Sequence, residues 1–173
     1  MECDWLNHLS LLVEEDDIES HGDAWPSYHE FISDMMVVRI EDELEDFTSE
    51  IARAELLSHP HIRLVLNDEG VQGELRIRKL THIGARIGEE IVTEEMPDSV
   101  STTRVLVRVS GRAIAGDPNK AYFSTKLQSE RLETLSLAKE LRALLGRPIR
   151  VCDPFCGVGP ALSALLSEPD LVG

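Results

Sequence analysis

The sequence predicts an α+β unit of about 120 residues followed by the opening of an α/β domain. Short apolar runs rich in β-branched residues, such as MMVVRI over 35–40, are typical of buried strands. Leucines at helical spacing over 129–145 predict a long amphipathic helix. The stretch VCDPFCGVGPALSALL over 151–166 has the pattern of a buried strand, a glycine turn and a helix start. A strand and a helix in that order open a parallel sheet, which needs helices on both faces.

The other elements follow from hydrophobic periodicity and from residues that break it. Gly22 and Pro26 interrupt one polar stretch and predict a loop there, and Pro60 closes a helical pattern. The predicted elements are a helix over 3–15, a loop over 18–31, a strand over 35–40, a helix over 41–59, strands over 62–68 and 72–80 separated by a turn at Glu69-Gly70, two strands within 103–116 on either side of Gly111, the helix over 129–145 ended by Gly146 and Pro148, and a new strand over 149–154.

The acidic charge is concentrated in the first part of the chain. The 173 residues carry a formal net charge of −15, from 32 acidic and 17 basic side chains. Residues 1–50 hold 16 of the acids and Arg39 as their one basic side chain, so residues 51–173 are neutral overall. An evenly acidic chain is a poor candidate for nucleic-acid binding, because phosphate neutralisation supplies most non-specific affinity. In this chain residues 51–173 still contain basic side chains that could contact nucleic acid locally. The acidic residues of 1–50 are typical of a solvent-exposed face.

Neither the cysteines nor the first residues indicate an exported or membrane protein. No apolar stretch reaches the length of about 18 residues that a membrane span requires. The N-terminal MECDWLNHLSLLVEEDD has no basic region before its apolar residues, so we expect no signal peptide. Cys152 and Cys156 stand at C-x3-C spacing beside the glycine turn, with no second ligand pair nearby, which favours small buried side chains over a metal or redox pair. The six histidines show no metal-ligand spacing, and we expect a cytoplasmic protein without a metal site.

The glycine turn excludes two common phosphate-binding loops. A P-loop needs Gly-Lys-Ser/Thr, and no lysine follows Lys139. A dinucleotide fingerprint needs a third small residue where Leu162 stands. The remaining pattern, D-P-F-C-G-x-G-P, lets the backbone approach a ligand closely at the carboxyl end of a strand. It suits a zwitterionic nucleoside without phosphate, such as S-adenosylmethionine; a generic turn with no ligand is the alternative interpretation.

Several motifs together resemble one known family. YFSTKLQSER over 122–131 and DPFCGVGP over 153–160 resemble paired segments of the archaeal and eukaryotic tRNA (guanine-37-N1)-methyltransferases. GELRIRKL over 73–80 and WPSYHEFISDMMVVRI over 25–40 are similar to stretches of the RNA-facing domain of these enzymes. Pro160 after the second glycine favours this branch over the related wybutosine-pathway aminocarboxypropyl transferases. The resemblance covers about residues 25–173.

The resemblance implies a domain division, a cofactor and a partner. It implies an acidic N-terminal helix or remnant over 1–25, an α+β RNA-facing domain over 26–120, and the truncated start of an α/β Rossmann-like methyltransferase domain over 121–173. The cofactor would be S-adenosyl-L-methionine, and the partner the anticodon-loop guanosine of a tRNA. We expect a monomer that binds neither DNA nor a membrane. Because the family's fold continues beyond the first glycine loop, we expect little or no methyl transfer from these 173 residues alone.

The resemblance also implies roles for single residues. Glu130 would take the N1 proton of the target guanine, Arg76 would stabilise the charge that develops on O6, and Tyr122 would hold the nucleoside. The chemistry agrees, since N1 is a poor nucleophile until its proton leaves and the charge then moves towards O6. The guanine would have to leave its stack to reach these groups. Arg131 would contact the carboxylate of the methyl donor, and the donor loop would consist of Asp153, Phe155, Gly157 and Gly159.

Each of these residues also has a simpler interpretation. An acid such as Glu130 near a helix start favours the helix dipole, and an arginine such as Arg76 on a sheet is usually solvated. Lys126 stands where the family usually has an arginine, so bidentate recognition is lost at that position. The alternatives are an RNA methyltransferase that acts on an exocyclic guanine amine, because DPFCG also occurs there, and a non-catalytic RNA-binding module.

Overall fold

The computed structural model describes residues 5–74, 77–121, 127–154 and 156–173. They form two compact units, Met1–Thr103 and Arg104–Gly173. The domain boundaries predicted after residues 25 and 120 came from the resemblance to known domains, whereas these units reflect contacts within the fold. Those boundaries therefore stay a prediction.

The N-terminal segment folds into two short helices. Helix α1 spans Trp5–Leu9, and helix α2 spans Glu15–His21. The predicted single helix over 3–15 is therefore wrong beyond Leu9, because Ser10 turns its hydroxyl onto the carbonyl of Asn7 and the backbone at Glu14 is extended. The predicted loop over 18–31 is wrong at both ends, since α2 reaches into it and a strand begins at His29. Three acidic residues in the first turn of α2 favour its N-terminus.

The first unit is built on a five-stranded sheet. Its strands are β1 (His29–Ile32), β2 (Met35–Val38), β3 (Leu64–Gln72), β4 (Ile77–Ile87) and β5 (Glu90–Val92), paired in that order. The β2–β3 pair is parallel and the other three pairs are antiparallel. The strands predicted over 35–40 and 62–68 are present, while β1 and β5 were not predicted. The strand predicted over 72–80 is confirmed only from Ile77, because Gly73 and Glu74 form a turn after β3. The break predicted at Glu69-Gly70 is a shift of register within β3 between Asp68 and Val71, not a turn between strands.

Helix α3 (Thr48–Ser58) connects the two parallel strands and packs on the sheet. A 3-10 helix over Asp42–Phe47 precedes it, so the predicted helix over 41–59 is confirmed in position with a tighter first part. Between α3 and the sheet lie the buried side chains of Met36, Val38, Ala52, Leu56, Ile62, Val65 and Ile83. On the side of the N-terminal helices α3 buries a second cluster, which contains Trp5, Leu9, Val13, Trp25, Leu44, Ile51 and Ala54. The short helix α4 (Asp98–Ser101) completes this unit.

The second unit begins with a hairpin and continues with a long helix. Strands β6 (Val105–Val109) and β7 (Arg112–Gly116) pair antiparallel, as predicted. Ser110 and Gly111, with φ of 49° and 77°, form the two-residue connection, for which positive φ at both positions matches the strand twist. Helix α5 spans Gln128–Leu145, in agreement with the predicted 129–145, and ends at the left-handed Gly146.

The end of the chain forms a single β-α-β crossover. Ile149 and Val172 make an isolated parallel bridge on either side of helix α6 (Pro160–Leu166). The predicted strand over 149–154 is therefore wrong in extent, because only one residue of it has a strand partner among the described residues. A Cβ at Gly173 would lie 2.8 Å from that of Pro148, so the two paired segments approach closely. Helices α5 and α6 pack on this bridge through Ala138, Ile149, Leu165 and Leu171.

These two units confirm the predicted class. An α+β unit with a mixed sheet is followed by one parallel crossover, which is the repeating element of Rossmann-like folds.

Candidate functional site

The loop between Ile149 and α6 has the conformation that its glycines predict. Gly157 and Gly159 both lie in the left-handed region, with φ of 54° and 76°. The amide of Gly159 donates to the carbonyl of Cys156 over 2.8 Å, which closes a tight turn directly before the helix. Open space surrounds the α-carbon of Gly159, where an added Cβ would meet nothing within 4 Å. A loop with exposed backbone at the end of a parallel crossover can accept a flat ligand at close range.

Neighbouring contacts hold this loop in place. Pro160 occupies the first turn of α6, where its missing N–H costs nothing. The buried Ser163 donates its hydroxyl to the carbonyl of Val109 on β6 over 3.2 Å, and its amide donates to Gly159 over 2.9 Å. Asp153 is half-buried, Cys152 is exposed, and both Cys152 and Cys156 are free thiols. The loop is therefore supported from one side and open on the other.

Glu130 and Arg131 lie in the first turn of α5, where they differ sharply in exposure. The side chain of Glu130 is exposed, whereas Arg131 is buried, with 6% of its surface accessible. An exposed carboxylate is free to meet a substrate, and a buried guanidinium keeps its charge only with polar partners. The structure thus places the predicted base and the predicted donor contact on successive residues of one helix.

A network of charges surrounds the start of β4. The Arg78 guanidinium donates to Glu30 over 2.7 Å and to Asp68 over 2.7 and 3.1 Å. Burial of Arg78 opposes its charge, but the hydrogen bonds to Asp68 and Glu30 outweigh burial and raise its pKa above the ordinary value. On the neighbouring residues, Lys79 donates to Glu69. That bond, followed by one from Thr81, lowers the pKa of Glu69 below its ordinary value.

Three predicted site residues, Arg76, Tyr122 and Phe155, lie outside the described residues, as do residues 75 and 123–126. Of the others, Glu130, Arg131, Asp153, Gly157 and Gly159 belong to the second unit and are held by elements that share one core. The region around Arg76 belongs to the first unit.

Sequence reasoning missed the acceptors in this charge network. Glu30 and Asp68 are separated from Arg78 by 48 and 10 residues, so no local spacing reveals the contact. One signal for these acceptors was available in the sequence, namely an arginine beside apolar residues in a strand pattern. A partly buried guanidinium at such a position requires carboxylate partners.

It also missed a buried carboxylate–imidazole cluster in the first unit. Glu55 is fully buried, and its Oε1 accepts from Nε2 of His29 over 2.6 Å. Nδ1 of His59 donates to the backbone carbonyl of Glu55 over 3.0 Å and lies 3.5 Å from the second carboxylate oxygen. The rings of Phe31, His59 and His61 contact one another, with centroids 5.4, 6.1 and 6.1 Å apart. Glu55 and His59 are four residues apart on one helix, a spacing that indicates proximity but does not predict burial.

An open pocket of about 480 Å³ lies elsewhere on the first unit, lined by residues 39–42, 45, 48 and 67–70. Five of its lining residues are acidic and one is basic, so it disfavours a phosphate. None of the predicted site residues lines it. In the described part of the chain no cluster of His, Cys, Asp and Glu is arranged to hold a metal ion. No described helix has both the length and the apolar character that a bilayer crossing needs.

Comparison with known proteins connects these features to one family. The family model described as "TYW2 N-terminal domain" matches residues 9–90. The tRNA (guanine(37)-N(1))-methyltransferase Trm5b of Pyrococcus abyssi is 30% identical over 148 residues. That alignment covers 85% of this chain and 38% of the relative, so the chain spans well under half the length of this relative.

Two solved structures share the fold at low identity. The tRNA m1G37 methyltransferase of M. jannaschii superimposes with a TM-score of 0.62 at 20% identity, over 96% of this chain and 42% of that one. TYW2 of P. horikoshii, in complex with MeSAdo, gives a TM-score of 0.59 at 18% identity, over 95% of this chain and 55% of that one.

The mixed-sheet unit and the glycine-loop crossover share the fold of these two structures, in agreement with the predicted fold class. Over most of its length the chain is similar to the Trm5-type tRNA methyltransferases.

Proposed function

We propose that this chain supplies the RNA-facing domain and the first donor loop of an enzyme that transfers a methyl group to N1 of guanosine 37 in tRNA. The observation that carries the proposal is the pair of left-handed glycines, Gly157 and Gly159, in the loop that opens the parallel crossover. The 30% identity to a guanosine-37 N1-methyltransferase over 85% of the chain supports the same activity.

The donor loop would hold S-adenosylmethionine, which supplies the methyl group when it is bound. The fit rests on this structure: the loop backbone is open at Gly159, and Asp153 is half-buried beside it. Asp153, Phe155, Gly157 and Gly159 would form the loop contacts. The buried guanidinium of Arg131 would pair with the donor carboxylate. TYW2 of P. horikoshii, which shares this fold, was solved with MeSAdo.

The remaining residues would act on the guanine. The exposed carboxylate of Glu130 would remove the N1 proton, and that proton would stay on its oxygen. Arg76 would stabilise the negative charge that moves to O6, while Tyr122 would hold the flipped nucleoside. The partner would be the anticodon loop of a tRNA, bound by a cytoplasmic monomer.

The test uses the natural-length protein that carries this chain, with tRNA transcripts that have guanosine or adenosine at position 37. We expect N1-methylguanosine only with the first transcript, identified by mass spectrometry of the digested nucleosides. Glu130→Gln should lower the single-turnover rate about 100-fold, the scale of general-base catalysis, while donor affinity changes little. Glu133→Gln, an exposed acid one turn further along α5, is the matched control and should retain the rate.

Unchanged single-turnover rates in Glu130→Gln would remove Glu130 from the base role. Methylation of an exocyclic amine would identify the enzyme as the other type of guanine methyltransferase. No product together with no donor binding would leave the non-catalytic RNA-binding module. The 173 residues alone should give little product, because they span 38% of the related enzyme.

A second candidate activity is that of TYW2, because the family model over residues 9–90 carries that name. The same nucleoside analysis distinguishes it, since a group larger than methyl on the target nucleoside would favour TYW2. Pro160 after the second glycine favours the methyl-transferring branch.

A further inference from the structure

The β6–β7 hairpin belongs to the same compact unit as the glycine loop and contacts the helix that follows this loop. Its two strands pair with each other in a sheet of their own, and both of them pack on α6. A two-stranded hairpin is marginally stable in water when it stands alone. Packing on α6 therefore stabilises the hairpin and at the same time holds the helix.

Ser163 connects the hairpin to the glycine loop through its two polar groups. Its hydroxyl donates to the carbonyl of Val109 at the end of β6 over 3.2 Å, and its amide donates to the carbonyl of Gly159 over 2.9 Å. The amide of Gly159 donates in turn to Cys156 over 2.8 Å. Because Ser163 is 6% exposed, water does not readily replace these bonds. Three hydrogen bonds thus lead from the hairpin into the turn of the loop.

Two further contacts lie at the two ends of α6. Arg112 on β7 donates through Nη2 to the carbonyl of Leu166, the last residue of the helix, where a basic side chain satisfies a carbonyl that has no helical partner. At the opposite end, a Cβ on Gly116 of β7 would lie 4.0 Å from Cγ1 of Val158 in the loop. The hairpin therefore contacts the loop, the middle of α6 and the end of α6.

We propose that the β6–β7 hairpin is a clamp that fixes the glycine loop for donor binding, with Ser163 as the positioning residue that connects it to Gly159. The proposal rests on the function proposed above, in which the loop backbone approaches S-adenosylmethionine. Backbone that meets a ligand directly binds it more tightly when its position is fixed beforehand, because ordering a mobile loop costs affinity. Ser163 acts through its bond to Gly159 and does not touch the donor.

The first test measures the loop itself, by amide hydrogen exchange in the 173-residue chain. Ser163→Ala removes the bond to Val109, so we expect exchange at the Gly159 amide to become about tenfold faster. Ser163→Thr keeps a hydroxyl and should restore most of the protection. The matched control is Ser167→Ala, because this exposed serine bonds to Ala164 within its own helix; exchange at Gly159 should not change. Equal exchange in wild type and Ser163→Ala would overturn the proposal.

A second amide separates a local effect from a loss of overall stability. The amide of Ile149 donates to the carbonyl of Leu171 over 2.9 Å in the parallel bridge, away from the hairpin contacts. Its exchange in Ser163→Ala should stay at the wild-type rate. Equal acceleration at Ile149 and Gly159 would show that the serine only stabilises the unit as a whole, which would contradict a positioning role.

A surface variant decides the case in which Ser163→Ala does not fold. Arg112→Met removes the contact to Leu166 from an exposed position and should accelerate exchange at Gly159 about threefold. Arg108→Met changes another exposed arginine of the same hairpin and is the control, which should leave Gly159 unchanged. Wild-type exchange at Gly159 in Arg112→Met would then count against the clamp.

The third test measures donor binding, by calorimetric titration of the natural-length protein with S-adenosylmethionine. The Kd should rise about tenfold in Ser163→Ala, return close to the wild-type value in Ser163→Thr and stay unchanged in Ser167→Ala. Faster exchange at Gly159 with an unchanged Kd would overturn the proposal, because the clamp would then not serve the donor. If the wild-type protein binds no donor, the proposed function fails, and exchange alone decides whether the hairpin fixes the loop.

Discussion

Gly84 of β4 lies directly beneath Ala52 of α3, so that a Cβ on Gly84 would stand 2.8 Å from the Cβ of Ala52. Leu56 Cδ1 would lie at 3.3 Å from the same atom. Both neighbours belong to the buried layer between helix and sheet. The absence of one methyl group therefore sets how closely the helix approaches the sheet.

The first prediction concerns this contact. Gly84→Ala should lower the free energy of unfolding by about 1–3 kcal/mol, because the Cβ of Ala52 is attached to helix backbone and cannot rotate away. Urea unfolding followed by tryptophan fluorescence measures it, since both tryptophans lie in the first unit. Adding Ala52→Gly should recover part of the loss. A double variant whose cost equals the sum of the two single costs would contradict the steric explanation.

The second prediction concerns the buried Glu55. Glu55→Leu should cost about 3 kcal/mol, because Nε2 of His29 loses its acceptor inside the protein. Replacing both residues, in Glu55→Leu with His29→Leu, should cost less than Glu55→Leu alone, since no orphaned polar group remains. Urea midpoints of the three variants decide it. If the double variant is the least stable, the hydrogen bond is not the source of the loss.

The third prediction is a dependence on pH at Glu69. Because Lys79 and Thr81 lower its folded-state pKa, Glu69 stabilises the native state above its ordinary pKa and loses that contribution as pH falls through the lowered folded-state pKa. The melting temperature of the wild type should therefore exceed that of Glu69→Gln at pH 7, and the two should converge in acid. Lys79→Met should shrink the difference, since Lys79 is the larger cause. A difference that grows as pH falls would contradict this sign.

The fourth prediction concerns the glycine loop. Gly159→Ala places a side chain at a φ of 76°, which costs roughly 1–2 kcal/mol although nothing crowds the new atom. Faster amide exchange at Ser163, whose N–H donates to the Gly159 carbonyl, would report the strain. Gly116→Ala is the control: its Cβ would meet Val158 at 4.0 Å, and its φ is ordinary. Equal exchange in both variants would show that the left-handed conformation is dispensable.

The sequence predicted those elements whose structure depends on residues that are adjacent along the chain. The leucine spacing of α5 and the stop at Gly146 lie within one helix, and the two-residue turn at Ser110-Gly111 is encoded by its own neighbours. The tight turn at the left-handed Gly157 and Gly159 was likewise predictable from D-P-F-C-G-x-G-P. In each case the residues that decide the structure are adjacent in sequence.

The missed features depend on partners that are distant along the chain. Strand β1 contains the polar residues His29 and Glu30, which are unusual in a buried strand. They are accommodated because His29 bonds to Glu55 and Glu30 bonds to Arg78. Helix α2 has one apolar residue, Ile18, among its seven, so periodicity gave no signal for it. The same reason explains the site: the glycine loop was predictable, but the carboxylates that hold Arg78 were not.

The parallel pairing of β2 with β3 has a consequence for how the chain acquires this structure. Met35 lies beside Leu64, and the 28 intervening residues must close as a loop before that ladder can form. The β3–β4 hairpin joins strands that are close in sequence, so it can form within microseconds. The late event is thus the docking of α3 across the sheet, where Gly84 meets Ala52. Substitutions at that contact should therefore mainly accelerate unfolding, whereas those at the hairpin charges should mainly slow refolding.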